Sequence, residues 1–141
     1  MRFMVLVKAN EDSEAGVMPS EHMLAEMQKF NEELVKAGVM VGGDGLHPSS
    51  NAARIKFSGD ERTVVDGPFT ETKELIAGYT LIQVKTREEA MEWTRRFPDP
   101  HVHDGEIEVR QLYELEDLGP SPSIERFREI DRGSIDRVSK E

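Results

Sequence analysis

The chain contains no cysteine, no long apolar run and no excess of positive charge, and each absence excludes a class of protein. Without cysteine it cannot form disulfides, bind zinc or iron–sulfur clusters through thiolates, or use a thiol nucleophile. No stretch approaches the ~20 apolar residues of a membrane-spanning helix, and the apolar run from Phe3 to Val7 is too short for a secretory signal. We therefore expect a soluble, cytoplasmic protein with no membrane partner.

Negative charge dominates the composition: 28 acidic residues against 18 basic ones give a formal net charge of −10. Nucleic-acid phosphates are bound by basic surfaces, so we expect no direct nucleic-acid partner. From Ser121 onward five acids balance five bases, so the whole excess lies in residues 1–120. This acidic surface either keeps the protein soluble or forms a groove for a cationic partner.

The length of 141 residues is typical of one domain. The segment from Gly119 to Ser123 is rich in glycine, proline and serine, which is typical of a linker. We therefore expect one domain over residues 1–118, followed over 119–141 by a linker and a short helical tail that contains Ile124 and Ile130.

Hydrophobic periodicity predicts the order β-α-β-β-α-β with an inserted β-hairpin. The helix over 20–37 begins at the cap residue Ser20, and a second helix begins at Thr86, where Glu89 completes a capping-box pattern. Residues 9–19 are expected to be loop, and residues 70–76 a loop or one helical turn. The predicted strands lie at 3–7, 39–45, 79–84 and 106–115, with the hairpin at 52–66. This order predicts an α+β, ferredoxin-like fold with both helices on one face of an antiparallel sheet.

Two predicted strands are apolar on both sides. In the first, Phe3 and Val5 point one way while Met4 and Leu6 point the other. Two helices cover only one face of a sheet, so the second apolar face predicts association. We expect a homodimer with its sheets packed face to face, a dimeric α/β barrel. The alternative is that the 120–141 tail or the hairpin folds over that face.

The sequence resembles the YCII-related family in its DGPF-motif branch. The residues that carry the likeness are Asp66-Gly67-Pro68-Phe69-Thr70-Glu71-Thr72-Lys73-Glu74, Gly78-Tyr79, Arg2–Leu6, Gly42–Leu46 and Gly105–Arg110. The resemblance implies a ferredoxin-like fold and a dimeric α/β barrel. It further implies a His–Asp pair proposed as catalytic in some YCII-like proteins, and a dehalogenating lyase activity in some relatives. Other relatives are associated with extracytoplasmic-function sigma factors.

Asp66 is the first candidate catalytic residue, because it ends a strand and precedes Gly67 and Pro68, which hold the backbone in a defined turn. A carboxylate held there could act as a general base. Phe69, Thr72, Lys73 and Glu74 follow as candidate substrate-binding residues: the ring would form a wall and the lysine would hold an anionic group. The alternative is ordinary turn chemistry, in which these side chains are solvated.

His22, in the first turn of the long helix, is the candidate acid that pairs with Asp66. The alternative is a partly exposed helix histidine. His47, before Pro48, is expected to be structural or exposed.

His101-Val102-His103-Asp104 is the only metal-like grouping in the sequence. Its short spacing in a predicted loop favours adventitious binding, so we expect no metal site. No motif indicates a cofactor, and we expect none.

Three functions fit the sequence. The first is a small-molecule lyase or other acid–base enzyme with a cleft near Asp66. The second is a non-catalytic binding or regulatory module, linked to sigma-factor-dependent transcription through a protein partner. The third is a scaffold whose segment from Ile124 to Ile130 docks on another chain.

Overall fold

The computed structural model describes residues 1–101 and 104–138, which form one four-stranded sheet, one separate hairpin and four α-helices. The strands are β1 (Arg2–Lys8), β2 (Met40–Gly45), β3 (Ala53–Ser58), β4 (Glu61–Asp66), β5 (Ile76–Gln83) and β6 (Ile107–Gln111). The helices are α1 (Glu11–Glu14), α2 (Glu21–Lys36), α3 (Arg87–Arg95) and α4 (Pro122–Val138). Short 3-10 turns cover Ser49–Asn51, Thr72–Glu74 and Leu115–Leu118.

The main sheet has the strand order β2-β5-β1-β6, and every neighbouring pair is antiparallel. With β3, β4, the short helix α1 and the C-terminal helix α4 set aside, the chain runs β1-α2-β2-β5-α3-β6. This order of elements and strands is the ferredoxin-like arrangement. The prediction of an α+β fold with antiparallel sheets is confirmed.

The core lies between one face of this sheet and the helices α2 and α3. Phe3 of β1 pairs with Ile82 of β5, and both side chains are buried on that face. Leu34 of α2 and Ala90 of α3 pack in the same cluster. Burying each large aliphatic or aromatic side chain contributes about 1.5–3 kcal/mol, so this cluster is the main source of stability.

The predicted helix starts are observed. The Ser20 hydroxyl accepts the backbone N–H of Met23 at 3.1 Å, and the Thr86 hydroxyl accepts that of Glu89 at 3.1 Å. The capping box expected at Thr86 is only half formed, because the Glu89 carboxylate accepts the N–H of Lys85 at 3.0 Å. The carboxylate therefore ties the preceding loop to the helix.

Four boundaries differ from the prediction. Strand β5 begins at Ile76, three residues before the predicted start at 79. Residues 9–19 are not all loop: α1 forms because the side chains of Asn10 and Ser13 each accept the other's backbone N–H. Strand β6 ends at Gln111, well before the predicted residue 115, since a 3-10 turn follows it. The C-terminal helix is longer than the predicted segment from Ile124 to Ile130.

The hairpin of β3 and β4 lies apart from the core. Every residue of its two strands is exposed except Val65, which is half-buried. A hairpin folded over the sheet would bury one of its faces, so this alternative cover for the sheet is wrong. The sheet face opposite α2 and α3 carries Met4, Leu6, Tyr79 and Leu81, which are half-buried in the single chain. Cover of this face by the 120–141 tail stays a prediction.

None of the helices in the described part of the chain has the length and apolar character needed to cross a membrane.

Candidate functional site

A cleft of about 330 Å³ lies where four segments of the chain meet. Glu14 comes from the end of α1, His47 from the loop after β2, Arg54 from β3, and Phe69 from the loop after β4. The remaining polar wall is formed by Ser49, Asn51 and Glu74, and the apolar wall by Leu46, Pro48, Ala52, Leu75 and Ile76. The volume is in the range of small-ligand sites, which are mostly apolar with a few polar groups.

A hydrogen-bond relay fixes one side of the cleft. The hydroxyl and the backbone N–H of Ser49 both donate to the Glu14 carboxylate, the latter at 3.1 Å. The same hydroxyl accepts the backbone N–H of Phe69 at 2.9 Å. Ser49 is only 6% exposed, so water is largely excluded from it. These hydrogen bonds therefore satisfy polar groups that would otherwise be buried without a partner. The relay joins α1, the loop after β2 and the loop after β4.

Arg54 extends this arrangement from the hairpin. Its guanidinium carbon lies 3.7 Å from the centre of the Phe69 ring, a cation–π contact. The Phe69 ring is thereby held between its backbone bond to Ser49 and the guanidinium. The cleft is thus lined by side chains of the hairpin and by side chains of the loops next to the four-stranded sheet.

Gly67 permits this close approach of the two loops. Its backbone N–H donates to the carbonyl of Ala52 at 2.9 Å, and a Cβ at Gly67 would overlap the carbonyl oxygen of Ser49. Any larger residue would have to push the two loops apart. The glycine of the Asp-Gly-Pro-Phe motif is therefore required by packing at the base of the hairpin.

Asp66 lies on the other face of the hairpin from Arg54. In the antiparallel register Asp66 pairs with Ala53, while Arg54 pairs with Val65. Neighbouring residues of a strand point to opposite faces, so Asp66 shares a face with Ile55 and Val64. Asp66 is exposed and is not among the residues that line the cleft.

The structure brings together only part of the predicted site. Phe69 and Glu74 line the cleft, whereas Thr72 and Lys73 lie on the 3-10 turn outside its lining. His22 is exposed in the first turn of α2, and among the described hydrogen bonds none joins it to Asp66. The roles that the sequence predicts for these residues remain predictions.

Five polar residues of the cleft were not predicted as site residues: Glu14, His47, Ser49, Asn51 and Arg54. They come from a segment expected to be loop, from the loop after β2 and from an exposed strand. Their proximity depends on long-range packing, which a local sequence pattern does not reveal. His47 was expected to be structural or exposed, and it is exposed while also lining the cleft. Its one sequence signal was Pro48, which restricts the backbone of the residue before it.

A larger hollow of about 570 Å³ on the outer side of α2 is a weaker candidate. All its lining residues, among them Leu24, Met27 and Val35, belong to that one helix. It is a shallow apolar surface, and no other helix, strand or loop contributes a side chain to its lining. The cleft at the hairpin base is therefore the better candidate site.

The metal-like grouping is only partly described. His101 donates from Nε2 to the backbone carbonyl of Lys8 at 2.7 Å, which ties this loop to β1. His103 lies outside the described residues. Within residues 1–101 and 104–138, no three histidine, aspartate or glutamate side chains are placed to share a metal ion.

Comparison with known proteins identifies the family. A model of the YCII-related domain matches residues 1–116, most of the chain. The chain belongs to the YCII-related domain family. The chain is also similar to an uncharacterised protein of Rhizobium meliloti (strain 1021), with 33% identity over 92 residues, which are 65% of this chain and 74% of that protein.

The YCII-related chain is also similar to a solved structure. This is the 5-chloro-2-hydroxyhydroquinone dehydrochlorinase of Burkholderia phenoliruptrix AC1100, in complex with 2,5-dihydroxybenzoquinone. The identity is 13% and the TM-score 0.46, and the match covers 81% of this chain and 95% of the other. A likeness at this level carries no conclusion about activity.

Proposed function

We propose that this YCII-related protein is an acid–base enzyme acting on a small molecule bound in the cleft at the base of the hairpin. The observation that carries the proposal is the convergence of imidazole, carboxylate and guanidinium groups on one mostly apolar cavity of about 330 Å³. Membership of the DGPF branch, implied by the Asp66-Gly67-Pro68-Phe69 motif, is part of the same proposal.

His47 is the proposed proton-transfer residue. Imidazole changes protonation near neutral pH more readily than other side chains, and His47 lies in the cleft with Glu74. In an elimination a base takes a proton from the substrate, the electrons of that bond form a double bond, and the leaving group departs with its bonding electron pair. An imidazole as base fits the lyase activity that the sequence resemblance implies. The dyad of Asp66 and His22 is the competing proposal, supported by the sequence alone.

The test begins with identification of a retained ligand. Mass spectrometry of small molecules released from the purified protein supplies the compound, and turnover of that compound is then measured. We expect His47→Gln to reduce kcat by about 100-fold or more, since general acid–base catalysis contributes 10²–10⁴-fold. His22→Gln is the matched control with an unchanged rate. A loss with His22→Gln and none with His47→Gln would favour the competing dyad.

A non-catalytic binding module is the second candidate. It is favoured by the relay in the cleft, because both carboxylate oxygens of Glu14 are already bonded to Ser49 and serve to position the loops. A link to sigma-factor-dependent transcription through a protein partner remains a prediction. Retention of a ligand that the protein leaves chemically unchanged would support this candidate over the enzyme.

We infer a homodimer for the same protein. The support is the sheet face opposite α2 and α3, where Met4, Leu6, Tyr79 and Leu81 form an apolar surface that these two helices do not cover. Packing of this face on that of a second copy would give the dimeric α/β barrel. Sedimentation equilibrium at micromolar concentration should show a dimer, and Leu81→Glu should convert it to monomer. Monomer alone in the unmodified protein would contradict the inference.

A further inference from the structure

Arg54, an exposed residue, differs from the other polar groups of the cleft because it is a cation with no ion-pair partner in the part of the chain that the structure describes. Within the described residues, ion pairs join Arg2, Arg96 and Arg128 to glutamates, whereas Arg54 forms neither an ion pair nor a side-chain hydrogen bond. Its recorded contact is the Phe69 ring, which binds the face of the guanidinium. Stacking of this kind leaves the five N–H donors at the edge of the guanidinium available.

Glu14 and Glu74 line the same cleft, but in the described structure neither carboxylate forms an ion pair with Arg54. Both oxygens of Glu14 accept hydrogen bonds from Ser49, so this carboxylate is committed to the relay. In a chain whose net charge is −10, a cationic group held in the cleft without an acidic partner is suited to an external anion.

We propose that the ligand of the cleft is a small planar molecule that carries a carboxylate, which Arg54 binds in a bidentate manner. This inference rests on the proposed function and adds the chemical class of the ligand. The planar body lies along the apolar wall that Phe69, Leu75 and Ile76 form. A volume of about 330 Å³ accommodates an aromatic ring with one such group.

Arg54 is prepared for this role before the ligand arrives. The relay through Ser49 fixes the backbone of Phe69, and the Phe69 ring in turn supports the guanidinium. A donor held in place loses less conformational freedom on binding, which improves affinity. Glu14 and Ser49 therefore act as positioning residues for anion recognition.

The test uses the full ¹⁵N-labelled chain, titrated in turn with sodium benzoate, benzamide and benzylamine while the backbone amide resonances are followed. These three probes share a ring and differ in charge. We expect benzoate to shift the amides of Ser49, Arg54 and Phe69 in a saturable way, with the other two binding at least about tenfold more weakly. Arg54→Gln should weaken benzoate binding at least about tenfold.

Arg62→Gln is the matched control. Arg62 also lies on the hairpin and stacks on a ring, that of Phe57 at 4.4 Å, but it is not part of the cleft lining. Its replacement should leave benzoate binding unchanged, and the amide spectra of both variants report whether the fold is intact.

Three results would overturn the inference, and they differ in what they mean for the proposed function. Equal or tighter binding of benzamide or benzylamine in the cleft would refute recognition of a carboxylate and leave the small-molecule site standing. No shift of cleft amides with any probe would refute the recognition of a carboxylate and count against the small-molecule site too. Unchanged benzoate binding in Arg54→Gln would refute the role of Arg54 alone.

Discussion

The four-stranded sheet and the β3–β4 hairpin of this chain differ in how far their apolar side chains are buried. In the sheet, Val5 and Ile82 are each 1% exposed beneath α2 and α3. In the hairpin, Ile55 is 56% and Phe57 68% exposed. An isolated two-stranded hairpin is at best marginally stable in water, so its attachment at the cleft is needed to hold it. The buried core beside the sheet thus supplies most of the stability, while the hairpin contributes Arg54 to the cleft at its base.

The largest expected effect compares one aliphatic side chain from each region. Leu34→Ala removes a side chain that is 1% exposed and should lower the free energy of unfolding by about 2–5 kcal/mol. Ile55→Ala should change it by less than about 0.5 kcal/mol. Urea unfolding at one fixed protein concentration measures both. A loss in Ile55→Ala comparable to that in Leu34→Ala would contradict the assignment of the hairpin as a region without a buried core.

The next largest effect concerns the hydrogen bonds of Ser49 that position the cleft. Ser49→Ala removes the hydroxyl that joins Glu14 to the N–H of Phe69, leaving these groups without that partner. We expect a loss of about 1–3 kcal/mol in stability and weaker benzoate binding through Arg54. Ser50→Ala, at the exposed neighbouring position, is the control. Wild-type stability and binding in Ser49→Ala would show that the relay does not position the cleft.

The smallest effect is a pH dependence at the far end of the sheet. Arg2 donates to both carboxylate oxygens of Glu114, at 3.0 and 3.1 Å, and these hydrogen bonds hold the pKa of the Glu114 carboxyl below its ordinary value of 4.5. A lowered carboxyl pKa stabilises the fold above pH 4.5, and the contribution disappears as the pH falls through the lowered value.

Because both side chains are more than a third exposed, this contribution should stay below about 1 kcal/mol. Glu114→Gln should therefore flatten the acid limb of a plot of unfolding free energy against pH by that small amount. Glu116→Gln, which instead loses the pair of Glu116 with Arg128, is the comparison variant. An acid limb that is identical in Glu114→Gln and the wild type would contradict the assignment.

The sequence predicted the sheet far better than the cleft, because the sheet follows from local patterns and the cleft from long-range packing. The alternation of Phe3, Met4, Val5 and Leu6 and the capping residues Ser20 and Thr86 are local patterns, and each predicted an element that the structure contains. The cleft depends instead on where distant loops meet. The predicted position of Asp66 at a strand end was right, but the register with Ala53 points it away from Arg54. The pairing register of two strands cannot be predicted from a local sequence pattern.

The most direct test of the central claim is a crystal structure of the protein with the ligand that mass spectrometry finds retained. The account predicts ligand density in the cleft, with its anionic group at the Arg54 guanidinium and its body between His47 and Phe69. Density in the hollow on α2 or beside Asp66 on the outer face of the hairpin, with the cleft empty, would contradict it.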